Sequence, residues 1–509
     1  MTDIRPTITI VSRTRTFPLN KSANPQETPL SILDSAVARF APTAAVWIYS
    51  AGPPLPDLLK GLEIALDSYR PWTGQLHFTK FNPGGNHTER YGRLAISYGT
   101  NADPGIEVIV AKTSQSADVL VPSMENRVIW GPNDSFNTFI DSFPPLALHN
   151  LVDFQGLPSV IIQITSLDGG GLIVGIKIAH PLADAQSLVG FASDWAMITH
   201  SLIHSTPPPA ISSVFSPVLL DISAAGNIDK PNPDPIILER AHGLPIHRYD
   251  WWASSENAPS WALQATIIPP EISKNAVGDF GSPLKWSNWD SMAPISRCIF
   301  RISALQLQKI RRVACPPGGK WISHLDALLA HFWALIMRAR ETKKDEAHYL
   351  DLTVGFRSRV SPPLPKTFIG SPLTLVYAAA VGREADDSLQ KLAANIRSTL
   401  EKFDGEALSA ALHDMAYDTS SQRYWNAFLG RQNTVVTSWL GLDIYKVDFG
   451  CGRASYVDSV MPECDGCLQV MEDPIQRGGK KWYEGDVLVS LHLREDVLKK
   501  LIQDDKLYP

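Results

Sequence analysis

A histidine and an aspartate, His180 and Asp184, stand four residues apart in the segment AHPLADA at residues 179–185. An imidazole titrates near neutral pH, so it can take a proton from a hydroxyl or an amine during a reaction. A simpler interpretation is that Asp184 caps a following helix and that His180 is an ordinary loop residue. Because this spacing often arises by chance, the pair needs support from the rest of the sequence.

The residues around this pair predict a β-hairpin followed by a helix. Residues 159–165 and 172–179 are rich in Val and Ile, and the run DGGG at 168–171 between them is a strong turn signal. Apolar residues recur at helical spacing from 188 to 198, which predicts an amphipathic helix over about 185–200. His180 would then follow a strand and Asp184 would precede a helix, so both would stand on a rigid support.

Five segments in one order carry a resemblance to a known family. His180 and Asp184 fit the pattern HxxxD, and DFGCG at 448–452 fits DFGWG. The other three segments are ISHLDALL at 322–329, RSRVSPPLP at 357–365 and TSW at 437–439. Together they resemble the BAHD acyltransferases, and within them the fungal branch that includes the trichothecene 3-O-acetyltransferases. Each motif is weak alone, but their order and spacing agree over nearly the whole chain.

The resemblance implies an α/β fold of two similar-sized domains, each built like a CoA-dependent acyltransferase around a mixed sheet. A solvent channel would run between the two domains, with His180 at its centre. Acyl-CoA would enter this channel from one face and the acceptor from the other.

The resemblance also implies roles for the residues near the channel. His180 would be the general base, and no covalent intermediate would be needed because a thioester is already activated. Asp184 would orient the site structurally, with its carboxylate directed toward Arg357 rather than Arg359. Thr437 and Ser438 are the candidate donors to the oxyanion, and the alternative is that both only satisfy hydrogen bonds at the end of a strand. Because neighbouring residues of a strand face opposite sides, only one of these two should face His180.

The second motif is expected to support the site from a distance, through Asp448, Gly450 and Gly452. Cys451 stands where the family has Trp, and Gly355 and Ser371 stand where Asp and Asn are common in the family. A thiol at position 451 could in principle accept an acyl group. We favour a structural role, because a buried cysteine behaves as a small hydrophobe.

A basic cluster near residue 320 offers candidate contacts for CoA. Lys320, Arg311 and Arg312 could meet its phosphates, and Ser323 lies beside them at the start of a predicted helix, which it can also cap. The alternative interpretation is a solvated surface cluster with no ligand.

A change in proline and glycine content divides the chain. A Pro-rich connector at 205–290 would join an N-terminal domain at 1–204, which carries HxxxD, to a C-terminal domain at 291–509, which carries DFGCG. Hydrophobic periodicity predicts the following C-terminal elements: strands at 353–356, 373–380, 434–439 and 487–493, and helices at 305–313, 326–340, 389–402 and 495–502. Mixed elements in both halves favour two α/β domains.

Composition excludes several classes of function. The chain has 46 Lys plus Arg against 52 Asp plus Glu, a net charge of −6, so nothing attracts it generally to nucleic acid or anionic membranes. No apolar run approaches the ~18 to 20 residues that span a bilayer, and the first residues lack a signal-peptide core. We therefore expect a cytoplasmic monomer without nucleic-acid or membrane partners.

The five cysteines are too few for a disulfide framework, so we expect reduced thiols. Cys464 and Cys467 have the spacing of metal ligands, but a tetrahedral site needs four ligands and no second pair stands at a suitable distance. We expect a surface loop there and no metal site.

The resulting hypothesis is an acyl-CoA-dependent O-acyltransferase of fungal secondary metabolism. It would transfer an acyl group, by analogy acetyl, to a hydroxyl, in preference to an amine, of a small and largely apolar acceptor. Acyl-CoA would be a co-substrate, with no permanently bound cofactor. One alternative is a condensation-domain relative that uses carrier-bound acyl groups, although such domains have a second His where Ala179 stands here. Another is a non-catalytic binding protein of the same fold, which the presence of both His180 and Asp184 argues against.

Overall fold

The computed structural model describes residues 7–20, 24–131, 136–142, 145–148, 153–253, 256–273, 277–382, 384, 388–474 and 481–508. The strands in these residues are β1 (Thr9–Thr16), β2 (Gln26–Pro29), β3 (Thr43–Tyr49), β4 (Gln75–Phe78), β5 (Leu94–Tyr98), β6 (Ile106–Lys112), β7 (Ile129–Trp130), β8 (Val160–Ser166), β9 (Leu172–Ile178), β10 (Tyr249–Asp250), β11 (Ser282–Pro283), β12 (Ile295–Ile302), β13 (Ala347–Gly355), β14 (Leu373–Val381), β15 (Tyr424–Trp425), β16 (Asn433–Ser438), β17 (Tyr456–Ser459), β18 (Cys467–Glu472) and β19 (Val487–Arg494). The α-helices are α1 (Ile32–Ala36), α2 (Leu55–Leu66), α3 (Ala117–Leu120), α4 (Ala185–Ile203), α5 (Val218–Asp221), α6 (Pro235–His242), α7 (Ala304–Ala314), α8 (His324–Ala339), α9 (Leu389–Glu401), α10 (Gly405–Ala416) and α11 (Glu495–Ile502).

Two large mixed sheets form the frame of the molecule. The first has the strand order β1-β6-β8-β9-β3-β17, in which β6 and β8 are parallel. The second has the order β14-β13-β16-β18-β19-β12-β7, in which β16 lies parallel to both β13 and β18. Mixed sheets in both parts of the chain confirm the predicted α/β class.

Each large sheet includes a strand from the other half of the sequence. The C-terminal strand β17 pairs antiparallel with β3, and the short N-terminal strand β7 pairs with β12. Arg297 of β12 forms an ion pair with the buried Asp458 of β17, which fixes the two sheets to each other. The two halves of the chain therefore exchange strands. The predicted domain boundaries at 204/205 and 290/291 stay a prediction.

The predicted hairpin and helix next to the histidine are confirmed. Strands β8 and β9 pair antiparallel, and the turn between them places Gly169 and Gly170 at φ 78° and 86°, a backbone conformation that glycine adopts without strain. Helix α4 follows and buries Leu188, Phe191 and Trp195 at helical spacing. The C-terminal strands and helices also form at the predicted places with ends that differ by at most two residues, except that β13 begins at Ala347, six residues before the predicted start at 353.

The connector is more structured than the sequence indicated. It contains α5, α6, β10 and β11, and Trp251, Trp252 and Trp286 are buried in a local aromatic cluster. Helix α6 begins with Asp234 as N-cap, whose carboxylate accepts the Ile236 N–H, followed by a proline at the first helical position. Elements this short contain too few residues to show a hydrophobic period, so sequence periodicity did not predict them. None of the helices in the described part of the chain is long and apolar enough to cross a membrane.

Candidate active site

His180 lies at the end of a central strand of the first sheet. Strand β9 ends at Ile178, a 3-10 turn runs over His180–Leu182, and α4 begins at Ala185. The Phe40 ring and the imidazole pack edge to face, with 5.4 Å between ring centroids. The histidine is therefore held between a strand end and an aromatic side chain, as a strand-end position predicts.

Ser371 fixes the orientation of this imidazole. Its hydroxyl donates to the carbonyl of His180, so its Oγ is free to accept a hydrogen bond from Nδ1 at 3.1 Å. This pairing places the ring proton on Nδ1 and leaves the lone pair on Nε2. Nε2 makes no hydrogen bond to the described residues. The imidazole thus has the form that a general base needs.

Burial lowers the pKa of His180 to about 4, and the nearby charge of Asp184 offsets only part of this effect. The imidazole is therefore neutral at physiological pH. Its unprotonated state does not depend on small changes of pH around neutrality.

A buried carboxyl group lies behind Ser371. Asp34 accepts the Ser371 N–H at 2.7 Å and also the N–H and hydroxyl of Ser31, the N-cap of α1, whose Oγ accepts the Asp34 N–H in return. Burial raises the pKa of Asp34 to about 7. The chain of contacts from Asp34 through Ser371 to His180 joins helix α1 of the N-terminal half to the imidazole.

Asp184 has two structural roles at once. Its Oδ1 accepts the Ser187 N–H at 2.9 Å, so it is the N-cap of α4. Both of its carboxylate oxygens also accept hydrogen bonds from the guanidinium of Arg357, and this ion pair is largely buried. Arg359 instead bonds the carbonyl of Phe403 at 3.3 Å. The partner of Asp184 is therefore Arg357, as the resemblance implied, and the carboxylate is engaged in this pair.

A cavity of about 1370 Å³ opens in front of His180 and is lined by strands of both large sheets. Thr43 and Ala44 of β3, Leu375 of β14 and Val435 of β16 contribute to its wall. Gly355 lines it too, and a Cβ atom there would meet nothing within 4 Å, so the glycine leaves this part of the cavity open.

Both oxyanion candidates line this cavity. Along β16, Val436 packs into the core while Val435 and Thr437 share the opposite face, because side chains alternate along a strand. The hydroxyl of Ser438, at the strand end, accepts the N–H of Leu440 at 3.5 Å. The Thr437 hydroxyl has no such hydrogen bond in the described residues. Thr437 is favoured of the two because it shares its face of β16 with the cavity-lining Val435.

Asp448 organises its own loop. Its Oδ1 accepts three backbone N–H groups, from Gly450 at 2.8 Å, Cys451 at 3.1 Å and Gly452 at 2.9 Å. Both glycines have φ near 95°, which the tight loop requires. Phe449 packs against Trp195 of α4 with 4.7 Å between centroids. Of the described cavity-lining residues none comes from this loop, so the loop touches the N-terminal half away from His180.

Comparison with known proteins decides the family. The model of the Transferase family matches residues 6–222 and 287–507 of this chain. The chain belongs to this family, the BAHD-type acyltransferases. The acyltransferase AFT15-1 of Alternaria alternata is 27% identical over 465 residues, which cover 87% of this chain and 85% of that protein. The acyltransferase abl6 of Leptosphaeria maculans is 25% identical over 516 residues, 98% of each chain.

A solved structure shows the same fold. TRI101 of F. graminearum, crystallised with coenzyme A and deoxynivalenol, superposes with a TM-score of 0.62 at 16% identity, covering 95% of this chain and 98% of that one. Likeness at this identity supports the architecture, and it confirms the predicted two-domain α/β fold. The predicted family is likewise confirmed.

Other predicted residues of this BAHD acyltransferase lie outside the cavity wall. Lys320 is exposed and forms an ion pair with Glu401, and Arg311 bonds the carbonyl of Ile322. Ser323 caps α8 by accepting the Asp326 N–H at 3.1 Å. Neither these residues nor Arg312 are among the described residues that line the cavity, so contact with CoA stays a prediction for all four.

The cysteines differ from expectation in one respect. Cys467 is the buried first residue of β18 rather than part of a surface loop, because its neighbours continue the second sheet. Among the described residues, no cluster of three or more potential metal ligands occurs. Burial raises the pKa of Cys451 to about 11.

Sequence reasoning missed the residues that orient and surround the base. Ser371 was visible only as a departure from a common Asn, and nothing in the sequence joined it to His180, which is 191 positions away. The tryptophans of the connector fall in a segment without regular periodicity, yet Trp251 and Trp252 line the same cavity. Only the fold brings these distant residues together.

Proposed function

We propose that this acyltransferase transfers an acyl group, acetyl in the simplest case, from acyl-CoA to a hydroxyl of a small and largely apolar metabolite. The observation that carries this proposal is the state of His180, a neutral imidazole on the cavity wall whose Nδ1 is bonded to Ser371. The unbonded Nε2 can accept the proton of the acceptor as its oxygen attacks the thioester carbon.

In the proposed reaction, the new C–O bond forms as the proton moves to Nε2, and a tetrahedral oxyanion results. Collapse of this intermediate breaks the C–S bond and releases CoA, whose sulfur takes the proton back from the imidazolium. Asp184, held by Arg357, supplies negative charge near the transient cation. No acyl-enzyme is needed, since the thioester already has a good leaving group.

Thr437 is proposed as the donor to the oxyanion. Its hydroxyl makes no hydrogen bond to the described residues on the cavity face of β16, and a donor placed for the developing charge contributes about 2.7–4 kcal/mol to the transition state. Exchange of Thr437 to Val should therefore lower kcat strongly with little change in the KM of acyl-CoA. Ser438→Ala is the matched control, and an equal or larger loss in that variant would contradict the choice of Thr437.

An apolar acceptor fits the wall of the cavity. Phe40, Leu373, Leu375, Trp251 and Trp252 all line it, and such surface favours ligands with large apolar frameworks. The acceptor is therefore best searched for among apolar alcohols, with matching amines as the comparison.

The test is transfer itself. The protein is incubated with acetyl-, malonyl- and longer acyl-CoAs and a panel of apolar alcohols and amines, while free thiol is measured and products are identified by mass spectrometry. We expect thiol release that depends on the alcohol and is matched by ester formation. Transfer only from an acyl group on a carrier protein would instead support a condensation-type enzyme, and no transfer from any donor would support a binding protein.

A further inference from the structure

One cation in the cavity wall makes no hydrogen bond or ion pair with the described residues, and the nearby phenol of Tyr91 is uncharged at neutral pH because burial raises its pKa. Arg39 follows helix α1 and lines the cavity. Its Nε and Nη1 are buried, and neither makes a hydrogen bond to the described residues. No described carboxylate forms an ion pair with it either. Because a buried unpaired charge is costly, such a group is expected to have a function.

Other buried arginines with a structural role have several hydrogen-bond acceptors around the guanidinium. Arg93 donates to the carbonyls of His87, Met415 and Ala416. Arg423 pairs with the buried Asp250 and also donates to two backbone carbonyls. Arg39 has no equivalent set of acceptors in the described structure, so it differs from the arginines that hold the fold together.

Arg39 lines the same cavity as His180 and contacts the aromatic part of its wall. Its chain neighbour Phe40 contacts the imidazole of His180 through its ring. Its own guanidinium carbon lies 5.5 Å from the ring centroid of Trp251, a cation–π contact that restricts where the group can point. A ligand bound to Arg39 would therefore share one cavity with the base, as a substrate of the reaction must.

The charge of Arg39 is not neutralised by other described residues of the wall. Arg357 already has a counter-charge in Asp184. Glu271 also lines the cavity, but it is exposed and forms no ion pair with Arg39 in the described structure. Burial lowers the pKa of Arg39 only to about 10, so the group is positively charged at neutral pH. Within the part of the wall that the structure describes, Arg39 is therefore a fixed positive charge without a counter-charge.

We infer that Arg39 binds a carboxylate carried by a substrate of this enzyme. The planar guanidinium presents paired donors that match the two oxygens of a carboxylate. The carboxylate would belong either to an acceptor that is a hydroxy acid or to the acyl group of a dicarboxylic acyl-CoA. The inference rests on the proposed acyl transfer and narrows its substrate class.

The acceptor arm of the test compares 4-(hydroxymethyl)benzoic acid with its methyl ester, using acetyl-CoA as donor. If the carboxylate belongs to the acceptor, the wild-type enzyme should favour the acid in kcat/KM, and Arg39→Gln should lose this preference by about 10- to 100-fold, the usual contribution of a hydrogen-bonded charge. Arg39→Lys should keep part of the preference, because its charge remains while the paired donors are lost.

The donor arm compares malonyl-CoA with acetyl-CoA, using the methyl ester as acceptor. If the carboxylate belongs to the donor, malonyl-CoA should be favoured and Arg39→Gln should remove the preference by a similar factor. If transfer occurs and neither arm shows a preference, or if a preference is unchanged in Arg39→Gln, the inference is wrong.

Two controls distinguish an arginine that binds substrate from one that stabilises the fold. Because Arg39→Gln removes an unpaired charge, its Tm should equal or exceed that of the wild type, whereas a clear fall in Tm would indicate a structural arginine and contradict the inference. Arg240→Gln, which removes an exposed arginine paired with Glu406, should leave both preferences unchanged. Calorimetric binding of the acid and of malonyl-CoA is measured as well. Binding that depends on Arg39 without any transfer would support the anion site and overturn the proposed function.

Discussion

Two loops of this chain each present an aspartate from a family motif, and they stabilise it in different ways. Asp184 lies beside the cavity and is paired with Arg357, a residue 173 positions away in the C-terminal half. Asp448 lies away from the cavity and accepts three backbone N–H groups of its own loop. The first carboxylate depends on the docking of two distant segments, whereas the second depends on local backbone geometry.

This difference indicates whether each motif controls turnover, stability or both. Because the Asp184 pair joins the turn of His180 to the segment that carries Ser371, loss of the pair should affect turnover and stability together. Because the Asp448 loop only packs against the N-terminal half, its loss should affect stability while leaving the properties of the base unchanged. The predictions below test this division.

His180→Ala should produce the largest effect. A positioned general base contributes about 10²- to 10⁴-fold in rate, so kcat should fall by that factor while Tm stays near the wild-type value. Steady-state kinetics and thermal melts measure the two quantities. For the wild type, the pKa of about 4 predicts that kcat/KM stays level from neutral pH downward and falls only as the pH approaches about 4, where Nε2 becomes protonated. Near wild-type turnover in the variant would exclude His180 as the base.

Asp184→Ala should lower both stability and activity. Removal of one member of a buried ion pair costs about 3–5 kcal/mol, because the other charge, here on Arg357, is left uncompensated. Denaturant unfolding and kinetics of the same preparation measure the two effects. Glu406→Ala is the matched control, since it breaks an exposed pair with Arg240 and should change stability by less than about 1 kcal/mol. An inactive Asp184 variant with unchanged stability would mean that the carboxylate acts directly in proton transfer.

Ser371→Ala should reduce turnover and lower stability by about 1–3 kcal/mol, because the buried hydroxyl donates to the carbonyl of His180. Without the hydroxyl, Nδ1 has lost its acceptor and the imidazole can place its proton on Nε2, so we expect kcat to fall about tenfold, the equivalent of one hydrogen bond. Ser371→Asn offers an amide oxygen in the same role and should restore most of the activity. If Ser371→Ala and Ser371→Asn have the same kcat, Ser371 does not position the imidazole ring.

Asp448→Ala should destabilise the protein without changing the pH profile of catalysis. Three N–H groups lose a charged acceptor, but water can replace it in a partly exposed loop, so we expect a loss of about 1–3 kcal/mol. The measurement is the free energy of unfolding together with kcat/KM as a function of pH. If the variant retains its stability but shifts the pH profile, the loop is coupled to His180 and the division between the two motifs fails.

The sequence predicted the regular parts of this molecule well, for identifiable reasons. The hairpin β8–β9 and helix α4 have long, consistent periods and strong turn residues, so local pattern determines them. The partner of Asp184 was also predictable, through the resemblance, because Arg357 stands in a motif of its own.

The contacts around the base were not predictable in the same way. Ser371 and Asp34 approach His180 only because separate sheets bring their segments together, and a single serine or aspartate has no pattern to mark it. Arg39 lies in a short turn after α1, where its lack of a described partner is a property of the packed cavity. Such features depend on tertiary distance, which hydrophobic periodicity does not encode.

Cys451→Trp should produce the smallest effect. The side chain at position 451 is partly buried against apolar residues and lies outside the described cavity wall. The indole ring of tryptophan should therefore lower stability by at most about 1–3 kcal/mol, the usual cost of overpacking. With its pKa raised to about 11, roughly one thiol in 10³ to 10⁴ is ionised near pH 7.5, and the thiolate is the nucleophilic form. We therefore expect near wild-type kcat in Cys451→Trp and in the smaller Cys451→Ala, and no acyl-thioester when wild-type protein is quenched with acetyl-CoA and analysed by mass spectrometry. A trapped adduct at Cys451, together with loss of activity in both variants, would replace direct transfer with a covalent mechanism and would give the second motif a chemical role.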